Sequence, residues 1–253
     1  MKTMLTILLT MTCCLTLAAQ NADDLFRKGN TAYEERDFTG ALEAYRQVEQ
    51  VLTANGQQSA DLYFNMGCAA FRLEDPAEAR YWFEKARRLE PGDRSIQHNL
   101  AVLKQSLADR VKEVPGGALE HAWRAVVNGM SYQLLAYLVL VLLLTVFAFA
   151  GWLIAGRRNA KPLYYGLGFS LFLLLVTGLM LNSRAGDMTR PEAVVTAAQV
   201  EIFSEPNTSS SLLFRLHAGT LVNVENHHSG FLHVSLPDGM NGWARRQDFR
   251  SLN

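Results

Sequence analysis

The chain has 253 residues, with 24 Lys and Arg balanced by 24 Asp and Glu, so its formal net charge is zero. That balance argues against nucleic acid as a partner, because such partners call for a basic field. The length fits one large domain or two small ones, and the apolar residues are gathered into separate blocks. The first block opens the chain. Lys2 precedes an apolar run from Met4 to Leu17, followed by Ala18-Ala19-Gln20. This is the order of a secretory signal peptide, assigned to residues 1–19, with a cut after Ala18 or Ala19. The run is short for a membrane span. Its removal leaves Cys68 as the sole cysteine, which rules out an internal disulfide.

Residues 22–111 carry an internal repeat. Gly29, Tyr33, Asp37, Ala41 and Tyr45 are followed by Gly67, Phe71, Asp75, Ala79 and Phe83, each at an offset of 67 − 29 = 38. Small residues at Gly29/Gly67 and Ala41/Ala79 let two helices approach, and the aromatics fill the space beside them. Pro91 ends the second helix of the second copy. Arg94 to Val111, with Ile96, Leu100, Leu103 and Leu107 at helical spacing, is expected to be a capping helix. The run Tyr81-Trp82-Phe83 reads mainly as packing: Phe83 belongs to the repeat core, while Tyr81 and Trp82 lie on neighbouring faces and meet an adjoining segment. Arg87 and Arg88 fall in the last turn, at the negative end of the helix dipole.

The pattern Gly67, Phe71, Ala79, Phe83, Ala86, Pro91 resembles the tetratricopeptide repeat, whose period is about 34 residues. The extra length falls in the polar stretch Thr53 to Ser59, where insertions cost little. The resemblance implies α-helical hairpins whose first helices line a groove for peptides. It places Phe26, Asn30, Tyr33, Phe64, Cys68, Phe71 and Arg72 as groove candidates, with a solvated face as the competing reading. Two repeats and a cap are few for a continuous core. Help is expected from a partner, a second copy or the membrane.

Residues 112–133 form a linker, with Pro115-Gly116-Gly117 and then Trp123, Val126 and Val127 on a short helix expected at the membrane surface. Residues 134–156 and 163–181 contain no charged side chain. As helices they measure roughly 35 and 28 Å, enough to cross a bilayer. Between them, in loop 157–162, Arg157, Arg158 and Lys161 would each cost about 3 kcal/mol at the bilayer centre. The expected form is a two-helix transmembrane hairpin with its loop cytoplasmic and both flanking regions periplasmic, in a bacterial inner membrane.

From residue 190 to 253 the pattern changes to period two, as in Leu232, Val234 and Leu236, with turn chemistry at Pro237-Asp238-Gly239. Gly219-Thr220, Asp238-Gly239 and Gly242-Trp243 resemble bacterial SH3-like domains, which implies a small C-terminal SH3-like β-barrel. Phe231 stands where many such domains have Trp, which counts against an aromatic groove for cell-wall peptides. His227, His228 and His233 lack the further ligands of a metal site and read as loop and surface residues.

The fold class is therefore multidomain, α plus β. No phosphate loop, H-E-x-x-H or G-x-S-x-G occurs, so a non-enzymatic protein without cofactor is expected. The order of signal peptide, repeats, two spans and SH3-like domain resembles the BatE-type proteins of the Bacteroides aerotolerance operons. That resemblance implies a membrane-anchored assembly protein linked to oxidative-stress tolerance or envelope integrity. Its implied partners are von Willebrand factor A-type membrane proteins and a MoxR-type ATPase system. The alternative is a wall-binding or sensing protein whose SH3-like domain contacts peptidoglycan.

Overall fold

A computed structural model describes residues 22–111, 117–154 and 161–252. The signal-peptide assignment, the start of the linker and most of the loop between the two spans lie outside these residues. The chain divides into two compact units. The first joins residues 22–87 and 93–111 with residues 191–252; the second holds residues 88–92, 117–154 and 161–190.

The first unit begins with helices α1 (22–34), α2 (Phe38–Ala54), α3 (Ala60–Arg72), α4 (Pro76–Leu89) and α5 (Arg94–Ser106). The repeat is visible in backbone and side chains alike. A methyl group at Gly29 would collide with the Tyr45 ring, and one at Gly67 with the Phe83 ring. Arg36 and Glu74, again 74 − 36 = 38 apart, both turn left-handed with φ of 65° and 58° to close α1 and α3. Asp37 then caps α2 by accepting from the Gly40 amide, and Asp75 caps α4 by accepting from the Glu78 amide, each at 2.9 Å. One side-chain oxygen thus satisfies an orphan amide at the same point of both hairpins. The cap α5 stops at Ser106, before the Val111 expected from sequence, and Leu107 leaves the helix in an extended conformation.

Glu84 on α4 is buried beside two arginines. Its carboxylate meets Arg80 Nε at 2.8 Å and also accepts from Arg87. Burial raises its pKa, but Arg80, Arg87 and Lys104 of α5 outweigh that and hold it at about 2.

Seven antiparallel strands complete this unit: β1 (Glu192–Val195), β2 (Gln199–Phe203), β3 (Leu212–His217), β4 (Leu221–His228), β5 (Phe231–Ser235), β6 (Asn241–Arg245) and β7 (Phe249–Ser251). The order is β3-β2-β6-β5-β4-β1-β7. The sheet is open, where the sequence led us to expect a barrel. The last strand is three residues long and pairs with β1, and β3 pairs with β2, so the two ends do not meet. β2 reaches β6 through the single pair Phe203–Trp243. Ser229 and Gly230, at φ 47° and 83°, make the two-residue turn between β4 and β5. Val195, Val200, Ile202, Val222, Val234 and Ala244 form the core beneath the sheet.

The second unit contains α6 (Ala118–Asn128), α7 (Tyr132–Ile154) and α8 (Lys161–Thr189). Both α7 and α8 are long and apolar enough to cross a membrane. Tyr137, Leu144 and Phe147 on α7, and Phe169, Phe172 and Leu175 on α8, leave large apolar surfaces exposed. α8 does not end where its apolar stretch ends at Leu181. No proline occurs until Pro191, and the helix continues through Arg184, Gly186 and Asp187. Arg184 is buried and donates to the Leu89 carbonyl at 3.3 Å. Arg88 donates to the carbonyls of Met188 and Arg190, a more specific role than a charge at a helix end. On α6, Val127 is buried with Leu135 and Met180, whereas Leu119, Trp123 and Val126 are exposed. Val127 is therefore a packing residue, and the exposed stripe lies on its neighbours.

Candidate interaction surface

The seven groove candidates lie on the first helices of the two hairpins, α1 and α3, and they separate into two kinds. Phe26 packs on Tyr45 at 5.8 Å between ring centroids, and Phe64 packs on Phe83 at 5.9 Å. Asn30 accepts through Oδ1 from the Tyr45 hydroxyl at 2.8 Å and from Asn65 Nδ2 at 3.3 Å. Its oxygen therefore holds α1, α2 and α3 together. Cys68 is half-buried, and burial pushes its thiol up to about 11 against the opposing pull of Arg72.

The other three candidates line surface depressions. Tyr33 and Arg72 flank one with Glu34, Arg36 and Phe38, of about 420 Å³. Phe71 and Arg72 line a second with Glu74, Pro76, Leu103 and Ser106, of about 440 Å³. Arg72 stands in the wall of both and is exposed. It presents a planar fork of donors beside the Tyr33 ring, an arrangement suited to a carboxylate or a backbone carbonyl. Sequence reasoning missed Phe38 and Leu103, which belong to α2 and α5 and carry no sign of their neighbours in the local pattern.

The contacts between the helices and the sheet include an ion pair from Arg87 of α4 to Glu192 of β1 at 3.8 Å and three further sites. The first centres on Glu78, near the start of α4. Its Oε1 accepts from Trp82 Nε1 at 2.7 Å and from Arg46 of α2 at 3.1 Å; its Oε2 accepts from Arg250 of β7 at 2.7 Å. The Arg250 guanidinium lies over the Tyr81 ring, and Trp82 stacks on Tyr63 at 5.4 Å. The adjoining segment expected for Tyr81 and Trp82 is thus α3 on one side and the terminal strand on the other. The second contact centres on Asp109. It accepts from the His217 amide at 2.6 Å and the Thr220 hydroxyl at 2.7 Å, with His217 Nδ1 at 2.8 Å. Burial raises the Asp109 pKa, but the bonds from Thr220 and His217 prevail and hold it below the ordinary value. In the third, a Cβ at Gly219 would come within 2.6 Å of Leu107 and 3.0 Å of the Pro76 carbonyl oxygen. Gly219, at φ 86°, lets the turn before β4 lie flush against the helices.

Of the three histidines of this region weighed as metal ligands, His227 and His228 are exposed and His233 is half-buried. His227 and His228 end β4, and His233 pairs with Glu225 at 3.0 Å and packs on Trp243. Among the described residues no group of three or more His, Cys, Asp or Glu is placed to hold a metal.

Paired helices with aromatic-lined hollows define a helical-repeat fold of the kind that binds other proteins. Residues 60–93, which span α3, the turn and α4, match the tetratricopeptide repeat family. No curated protein matched the chain.

Proposed function

We propose that this chain is a membrane-anchored, non-enzymatic interaction protein that docks other proteins through its repeat hairpins. The matched repeat carries the reading, since this repeat generally mediates protein–protein contact. Arg72, exposed and shared by two hollows, is the proposed anchor for the partner, with Tyr33 and Phe71 beside it. The two apolar helices provide the anchor in the bilayer.

The contact between helices that precede the two spans and strands that follow them supports a hairpin crossing. An odd number of crossings would leave the two sets of elements on opposite faces of the membrane. Three basic residues between the spans favour that loop on the cytoplasmic side, with the repeats and the sheet exported behind the signal peptide. The terminal sheet is proposed to be of the SH3-like kind, on its Gly219-Thr220 and Gly242-Trp243 signatures. The arrangement supports the BatE-type reading, with von Willebrand factor A-type proteins and a MoxR-type ATPase system as partners.

The test is affinity purification of the intact protein from membranes that also contain those candidate partners. Recovery of a von Willebrand factor A-type protein by the native chain, and its loss in the Tyr33→Ala/Arg72→Ala double variant, is the expected result. Equal recovery by the variant contradicts the groove. Absence of these proteins from both samples contradicts the partner assignment.

A further inference from the structure

The C-terminal sheet carries a cleft of about 1180 Å³ that the repeat groove does not use. Its floor is apolar: Ala193 of β1, Val224 of β4, Leu232 of β5 and Phe249 of β7. Its rim is basic. Arg245 ends β6, Arg246 begins the short turn after it, and His227 stands across from them near the β4–β5 turn. Phe231 is the cross-strand neighbour of Arg245 and lines the same cleft. No Asp or Glu lines the cleft among the described residues. Arg245 and Arg246 are exposed, and neither has an ion-pair partner among those residues.

This pairing of floor and rim selects its occupant by charge. An apolar floor alone would accept many ligands, but two uncompensated guanidinium groups above it disfavour a basic ligand and favour an anionic one. The cleft lies along the open end of the sheet at β7. An extended chain places alternate side chains on opposite sides, so one strand can lower apolar residues to the floor and offer carboxylates to the rim. The volume exceeds that of most small-molecule pockets, which suits a peptide.

The geometry points to a binding site for an acidic, extended peptide segment of a partner protein, held by Arg245 and Arg246 above the apolar floor. Arg250 lines the same cleft while its guanidinium is bound to Glu78, so it forms the wall shared with the repeats. The site is separate from the proposed repeat groove and stands whether or not that groove binds.

The experiment uses the intact protein in detergent and three fluorescent probes followed by anisotropy. These are a short peptide alternating Glu and Val, its counterpart alternating Lys and Val, and a muropeptide from cell wall. The acidic peptide is expected to bind and the basic one is not. Arg245→Glu/Arg246→Glu should weaken the acidic peptide by about tenfold or more, and Arg245→Gln/Arg246→Gln by less. Loss of the acidic peptide in Tyr33→Ala/Arg72→Ala but not in the Arg245/Arg246 variants would assign it to the repeat groove and overturn the proposal. Equal binding of acidic and basic peptides, or indifference to charge reversal in a variant with native circular dichroism, overturns the proposal. Binding of the muropeptide alone also overturns it, and points to the cell wall instead.

Discussion

The Arg250 guanidinium carbon lies 3.6 Å from the centroid of the Tyr81 ring, within cation–π distance, while the same group donates to Glu78 at 2.7 Å. One side chain from the last strand thus closes over an aromatic face of the second repeat. Two helical hairpins and a cap leave such a face open, and the sequence reading looked to a partner, a second copy or the membrane to cover it. The chain's own sheet contributes that cover.

Arg250→Ala should therefore loosen the helices and the sheet together. We expect a loss of about 1–2 kcal/mol, because a cation–π contact and a charge-assisted hydrogen bond go at once. A double-mutant cycle with Glu78→Ala should give a coupling energy of about 1 kcal/mol from denaturant unfolding. Additive single effects would mean that the pair contributes nothing specific.

Gly67→Ala drives a methyl group into the Phe83 ring. The expected cost is about 1–3 kcal/mol, the usual penalty for overpacking a filled core. Phe83→Leu in the same chain should recover part of it, since the smaller side chain vacates the space. Thermal melts of the three variants decide the matter; a neutral Gly67→Ala would show that the hairpin can spread.

Acid should destabilise the repeat unit in a defined window. The Glu84 pKa is lowered from 4.5 to about 2, and that of Asp109 is also lowered. Groups depressed in the folded state give their full stabilisation above their unfolded values and lose it as pH falls through their folded values. Stability should hold from neutral pH down to about 4.5 and decline below it, with Glu84 accounting for on the order of 3 kcal/mol. Glu84→Gln should flatten that decline while lowering stability at neutral pH, because Arg80 and Arg87 then lack their carboxylate. Circular dichroism melts across this range check the sign: a native chain that gains stability on acidification would reverse it.

Cys68 should be a poor nucleophile in the folded protein. With burial raising its thiol from 9.0 to about 11, the thiolate fraction at neutral pH is about a hundredfold below that of a free cysteine. Iodoacetamide should modify it more slowly in the native chain than in denaturant, by roughly tenfold or more, because the higher intrinsic nucleophilicity of a high-pKa thiolate offsets part of the lost fraction. Comparable rates would mean that the α1–α3 face opens readily.

The repeat was legible in the sequence because its determinants are local. Gly29 with Tyr45 and Gly67 with Phe83 are pairs within single hairpins, and the capping Asp37 and Asp75 sit at the same offset. The strands were legible through alternation and turn residues. The docking of helices onto sheet was not, because its partners are 172 residues apart for Glu78 and Arg250 and 108 for Asp109 and His217. Gly219-Thr220 illustrates the difference. The pair was readable as a turn signature, yet its glycine abuts Pro76 and Leu107, and its threonine hydroxyl donates to Asp109. Asn30 shows the same limit: a polar residue on a helix face gives no sign that Tyr45 and Asn65 will occupy its oxygen. The end of α8 was missed for a separate reason. Hydropathy reports where apolar residues stop, whereas the helix runs on until a proline intervenes.

The central claim is that the repeats and the terminal sheet share one side of a membrane crossed twice between them. The direct measurement is labelling with a membrane-impermeant thiol reagent in spheroplasts, using single cysteines at Glu43, Asn159 and Ser209 in a chain whose Cys13, Cys14 and Cys68 are replaced by Ser. The account predicts that positions 43 and 209 react in sealed spheroplasts and that position 159 reacts only after permeabilisation. Reaction of 43 and 209 from opposite sides would contradict it.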